Sequence, residues 1–162
     1  MNRKILIGIG LLAGVVQAAA GVAMYLAGVY FAPWSMLVSL FVLLVCIVGG
    51  TRWYRDHYLN GKITYLQALT VGIAISVSTG LVYAVYDMVS ISWLYPDFLD
   101  EVVRSRMAQT GVQQQSTESI AALRTEVSVA GIALGNLIRL SVAGSVLSLL
   151  SSLFLRATTG TR

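Results

Sequence analysis

The sequence predicts an all-α integral membrane protein. The expected fold is a four-helix bundle that crosses the bilayer four times, with a short extracytoplasmic helical hairpin between spans three and four. Three observations carry that expectation. Of 162 residues, 57% are hydrophobic and 11% charged, whereas a soluble domain carries roughly 25% charged residues. Mean hydropathy is +0.78. The charges are also confined: residues 5–51 contain none, and the later apolar runs contain Asp87 and Arg139 alone. Finally, each run is long enough for spans of about 20 residues. This composition excludes a soluble enzyme, a disordered chain and a nucleic-acid-binding domain, so no nucleic-acid partner is expected.

The elements follow in order. Residues 5–51 are too long for one span and suit two, joined where Ala32-Pro33-Trp34 forms a turn. Proline fits the start of a helix and breaks its interior. Tyr30, Phe31 and Trp34 suit a headgroup boundary. The first span is therefore expected at about residues 5–31 and the second at about 34–50. A polar segment with the turn dipeptide Asn60-Gly61 follows. The third span is expected at about 63–94, stopped by Pro96-Asp97. The outer loop is expected over 97–126 and the fourth span over 127–155, making residues 1–162 one membrane domain. In the loop, Phe98, Leu99, Val102, Val103 and Met107 keep a helical apolar stripe, Gly111 interrupts it, and a second helix is expected from Thr117.

Basic residues near the span ends set the orientation. Arg3, Lys4, Arg52, Arg55, Lys62, Arg156 and Arg162 fall on one side, and the other side has Arg104, Arg106 and Arg124 among acids. Both termini and the Arg52–Lys62 segment are thus expected in the cytoplasm. Ala18-Ala19-Ala20 resembles a signal-peptide cleavage site, but apolar residues run on past it to Phe31, so the first span is expected to be retained.

Each span carries a stripe of small or polar residues at alternating steps of four and three. The first has Gly10, Gly14, Gln17, Gly21, Met24 and Gly28, the second Ser35, Ser39, Val42, Cys46 and Gly49, the third Gly72, Ser76, Thr79 and Tyr83. The fourth has Ser141, Ser145, Ser148 and Ser152. In lipid, helices associate by close backbone approach and interhelical hydrogen bonds, which small residues permit. These stripes are read as packing seams. A polar passage lined by Gln17, Thr79 and the serines is the sharper alternative. Asp87 and Arg139 both come out near the outer boundary when 1.5 Å per residue is counted from the inner one, and they form a candidate intramembrane charge pair.

The segment Gly49-Gly50-Thr51-Arg52-Trp53-Tyr54-Arg55-Asp56, then Gly61-Lys62-Ile63-Thr64-Tyr65, then Ala68-Leu69-Thr70-Val71-Gly72, resembles the domain-of-unknown-function family 4199. These are small bacterial membrane proteins with a Tyr-Arg-Asp motif after the second span. The resemblance continues through Val82-Tyr83, Tyr95-Pro96-Asp97-Phe98 and Gly111. The chain departs from the family at Asn136-Leu137-Ile138-Arg139, where many members have an acid and a proline, and at its end, where Arg156 replaces a basic cluster. The resemblance implies four spans and a bacterial inner membrane, and it implies no activity.

Chemistry is sparse. The one His, His57, has no loop serine beside it for nucleophilic catalysis, and the one Cys, Cys46, lies in an apolar run. No catalytic residue, cofactor or metal site is expected. Arg52, Arg55, Asp56 and Lys62 form a candidate cytoplasmic interface, with lipid phosphates as their ordinary partners. Two function classes are open. One is a non-catalytic accessory, scaffold or self-assembling subunit, whose partners are the lipid bilayer and a membrane protein or further copies of itself. The other is a small transporter or channel component using the polar seams.

Overall fold

The computed structural model describes residues 3–95, 97–110 and 127–157. Among these, the elements are helices: α1 (Arg3–Leu26), α2 (Ser35–Tyr58), α3 (Tyr65–Val89), α4 (Phe98–Thr110) and α5 (Val129–Ala157), with a π-helical turn at Ser90–Leu94 prolonging α3. Four of them, α1, α2, α3 with its π turn, and α5, are long and apolar enough to cross a membrane. The fold is a helical membrane bundle, as expected.

Local chemistry moves two expected boundaries. The first span stops at Leu26 and not at Phe31, because Gly28 takes a left-handed conformation (φ 69°). The Gly28 amide donates to the Tyr25 carbonyl and the Val29 amide to the Met24 carbonyl, at 2.9 and 3.0 Å. That pair of bonds is the Schellman stop, which glycine adopts without steric cost. The second helix does not stop at Gly50. It runs on to Tyr58 because Tyr54, one turn further, buries its ring in the bundle at 2% exposure. Asn60 (φ 50°) and Gly61 (φ 76°) then reverse the chain. Thr64 starts α3 with a capping box: its hydroxyl accepts from the Gln67 amide at 3.3 Å, and its own amide donates to the Gln67 side chain at 3.1 Å.

α3 is the hub. It packs most extensively on α5, then on α1, and also on α2, while α1 and α5 stand on opposite flanks. The contacts between α1 and α3 rise together along both helices, Gly10 against Ser78 and Gly14 against Val82, so these two run parallel. On the other side, Gly72 meets Ser148, Ser76 meets Gly144 and Gly80 meets Ser141, so α3 and α5 are antiparallel. The N-terminus of α1, the turn between α2 and α3, and the end of α5 therefore share one end of the bundle. The turn between α1 and α2, together with α4, caps the other.

The seams lie where the small residues are. Gly10, Gly14, Gln17 and Gly21 are buried on α1, and Gly72, Ser76 and Thr79 on α3. On α5, Ser148 is buried, Ser141 and Ser145 are half-buried, and Gly144, outside the expected stripe, is buried between them. A Cβ at Gly14 would stand 2.5 Å from Val82 Cβ, and one at Gly72 would stand 2.7 Å from Ser148 Cβ, so these positions admit hydrogen alone. The stripe expected on α2 is displaced. Its buried face is Ser39, Leu43, Ile47, Thr51 and Tyr54, while Val42 and Cys46 are half-buried and Gly49 is exposed. This helix is wedged in by large apolar side chains in place of glycines, and it makes fewer contacts than α3 does.

At mid-height the interior closes on Leu43, Ile47, Val71, Ile75 and Leu140, all essentially inaccessible to solvent. The serines of the seams bond within their own helices. The Ser76 hydroxyl donates to the Gly72 carbonyl at 2.8 Å, and that of Ser148 to the Gly144 carbonyl at 2.6 Å. These hydroxyls donate to the preceding turn of their own helix and form no bond across the seam. Outward, Leu12, Leu37, Phe41, Leu66, Val85, Val142 and Phe154 are exposed, the ordinary lipid-facing surface of a membrane bundle.

Candidate functional site: a polar cavity between α2 and α5

Where α4 caps the bundle, α2 and α5 draw apart around a cavity of about 340 Å³. Four elements supply its polar wall: Tyr30 from the α1–α2 turn, Ser35 and Ser39 from α2, Tyr83 from α3, and Asn136 and Arg139 from α5. Phe98 and Val102 of α4 cover it. α4 sits there because the buried Phe98 ring packs on Tyr30 and Phe31, with centroids 5.4 and 5.5 Å apart. Tyr95 lies against Tyr25 at 4.0 Å and ties down the chain between the π turn and α4. This is the apolar stripe expected on the first half of the outer hairpin. The second half, from Thr117, lies outside the described residues.

Behind the wall are two buried polar groups. Gln17, 1% exposed, donates its side-chain amide to the Ser39 hydroxyl and, at 3.3 Å, to the Ser39 carbonyl. Its side-chain oxygen has no hydrogen-bond partner among the described residues. Asp87 is 2% exposed. It accepts a hydrogen bond from Asn136 Nδ2 at 2.7 Å.

The expected pairing of Asp87 with Arg139 is not a direct one, though the Arg139 charge still acts on Asp87. Asp87 and Arg139 do reach the same end of the bundle, but they form no ion pair within 4.0 Å. One turn of α5 explains this. Asn136 and Arg139 are three residues apart and share a helix face, with Asn136 turned to Asp87 and Arg139 exposed at the cavity mouth. The amide meets the buried carboxyl and leaves the guanidinium facing outward. Sequence reasoning sought an opposite charge for Asp87 and passed over Asn136, though an amide in an apolar run was itself a signal. Burial pushes the Tyr30 hydroxyl above the ordinary tyrosine range; Tyr83 as a hydrogen-bond partner and the Arg139 charge pull the other way, and Asp87 adds to the rise. Tyr30 thus keeps a neutral hydroxyl that feels both charges.

The candidate interface at the opposite end is less convergent. Arg52, Arg55 and Asp56 belong to the last turns of α2 and Lys62 to the turn after it. Arg55 Nε pairs with the neighbouring Asp56 at 2.7 Å. Trp53 stacks on His57 with centroids 4.6 Å apart, and Tyr54 on Tyr58 at 5.3 Å. The aromatic rings stiffen the helix end, and the charges are spread around it. Between α1 and α2 at this end lies a second, apolar groove lined by Ile5, Ile9, Val45, Cys46 and Trp53. Among the described residues no three His, Cys, Asp or Glu side chains are grouped to hold a metal ion.

Fold and surface together define a multi-pass helical membrane protein. Residues 9–157 match the model of a family described as protein of unknown function (DUF4199), and the chain belongs to that family. No curated protein and no solved structure is significantly similar to it.

Proposed function

We propose that this protein is a non-catalytic, non-conducting subunit of the bacterial cytoplasmic membrane, acting as an accessory or scaffold for a membrane-protein partner or for further copies of itself. The observation that carries this reading is the apolar closure at mid-height. Leu43, Ile47, Val71, Ile75 and Leu140 fill the space a permeant would cross, and the polar cavity opens on one side of them only. A transporter of this size would be expected to break its helices at mid-membrane and to gather charges there. The π turn lies instead at the end of α3, and Asp87 lies in the last turns before it.

Reconstituted into liposomes, the purified protein is expected to leave ion and small-osmolyte leakage at the level of empty vesicles. Crosslinking in native membranes is expected to recover either one reproducible membrane partner or ladders of the chain itself. Specific flux through the wild-type protein would refute the reading. The orientation follows the basic residues, with both termini and the α2–α3 turn in the cytoplasm. A cysteine introduced at Asn60, in a background where Cys46 is serine, is therefore expected to react with a membrane-impermeant thiol reagent only after the membrane is opened. Labelling at Asn60 in intact cells would invert the topology.

A further inference from the structure

We propose that the cavity between α2 and α5 binds the phosphate-bearing headgroup of an anionic lipid in the leaflet at the α4 end of the bundle. The argument starts from Arg139. It stands in the middle of an apolar helix, exposed at the cavity mouth, with no hydrogen bond or ion pair among the described residues. Asp87 accepts from Asn136 at 2.7 Å and is not within ion-pair distance of Arg139, so its charge offsets the guanidinium only from further off. A charged side chain within a span is costly unless a counter-charge or polar surroundings offset it, and the guanidinium fork matches phosphate geometry. Its depth fits. Arg139 lies ten residues into α5, about 15 Å from its start. A helix of 29 residues is about 43 Å long and exceeds a hydrocarbon core of about 30 Å. With the excess shared between the two ends, the backbone of Arg139 lies about 8 Å inside the boundary, a depth from which the long side chain reaches up to a headgroup phosphate.

The surroundings are built for a headgroup and not merely for a cation reaching water. Tyr30, Ser35 and Asn136 add hydrogen-bonding groups around the same space. On α5 the wall is thinned at Gly135, where a Cβ would meet nothing within 4 Å. The cavity opens sideways between two helices whose neighbouring outer positions are apolar and exposed: Met36 and Leu37 on α2, and Leu134 and Ile138 on α5. A soluble phosphate has no use for that flank, whereas acyl chains leaving a bound headgroup would lie along it. This assignment goes beyond the subunit role proposed above, and neither flux nor crosslinking depends on it.

The test is lipid binding to the full-length protein in neutral detergent, measured by native mass spectrometry with phosphatidylglycerol or phosphatidylcholine. Phosphatidylglycerol is expected to bind at least about tenfold more tightly, because both lipids offer the phosphodiester anion but the choline ammonium of phosphatidylcholine brings a second cation beside Arg139. R139Q is expected to abolish the preference and R139K to keep part of it. G135L, which fills the space and leaves every charge in place, is expected to weaken binding as well. Millimolar inorganic phosphate is expected not to displace the lipid. Equal binding of the two lipids by the wild-type protein would overturn the proposal without recourse to any variant. Displacement by inorganic phosphate would overturn it in favour of a site for a free anion. Unchanged selectivity in an R139Q protein of normal melting temperature would show that Arg139 is not the recognising group.

Discussion

Gly72→Ala and Gly144→Ala are expected to lower the unfolding temperature of the purified protein by roughly 3–10 °C, while Gly8→Ala and Gly49→Ala leave it unchanged or raise it. The same methyl group is added in all four cases, and only its surroundings differ. At Gly72 the new Cβ would sit 2.7 Å from Ser148 Cβ, and at Gly144 it would sit 2.5 Å from Ser76 Cβ. Neither neighbour is the tip of a flexible chain, so α3 and α5 must separate. Overpacking of this kind costs about 1–3 kcal/mol, and for a chain of this size each kcal/mol corresponds to about 2–4 °C. In lipid the loss spreads along the seam, because several close contacts depend on one interhelical distance. At Gly8 and Gly49 a Cβ would meet nothing within 4 Å. There the substitution leaves only the helix propensity gain of alanine over glycine, about 0.8–1 kcal/mol in water. Opposite signs for the two pairs are the expected result, and equal tolerance would mean that α3 and α5 are not in contact at this height.

Asn136→Ala is expected to cost about 1–3 kcal/mol, the penalty for leaving a buried acceptor without its donor. Asp87 accepts from Asn136 inside the bundle at 2% exposure, so little water can replace the lost amide. The double variant Asp87→Leu with Asn136→Leu is expected to recover most of that loss, since removing both partners of a buried polar pair can be nearly neutral. Chemical or thermal unfolding of Asp87→Leu, Asn136→Leu and the double variant completes the cycle. Additive losses from the two single changes would show that the groups are not coupled.

The span count, the seams on α1 and α3, the turn at Asn60-Gly61 and the docked stripe around Phe98 were all legible in the sequence, because each depends on local periodicity or on residues with one dominant role. The misplaced features have different origins. Gly28 ends α1 by a left-handed φ that any glycine can adopt and most do not, so the aromatic residues at 30–34 looked like the boundary. Gly49-Gly50 resembled a stop, yet the helix runs through it because Tyr54 finds a buried place one turn on. The buried face of α2 depends on which neighbours it meets, and those are set by α3 and α5, far away in the chain. The partner of Asp87 was hidden for a similar reason. Charge counting favours Arg139, whereas the rotation of α5 about its axis decides which of two residues on one face turns inward.

The central place of α3 also orders the birth of the molecule. Helices enter the membrane in sequence, and α1 and α2 emerge as a hairpin whose polar contact across the pair is Gln17 with Ser39. The glycine face of α1 has nothing to close on until residues 75–83 arrive. At about 5–20 residues per second, the hairpin waits a few seconds for them. The Gln17–Ser39 bond involves α1 and α2 alone, and it offsets part of the cost of a polar group in lipid, several kcal/mol when unsatisfied. Gln17 thus gives the first hairpin a polar contact of its own, one that does not depend on α3.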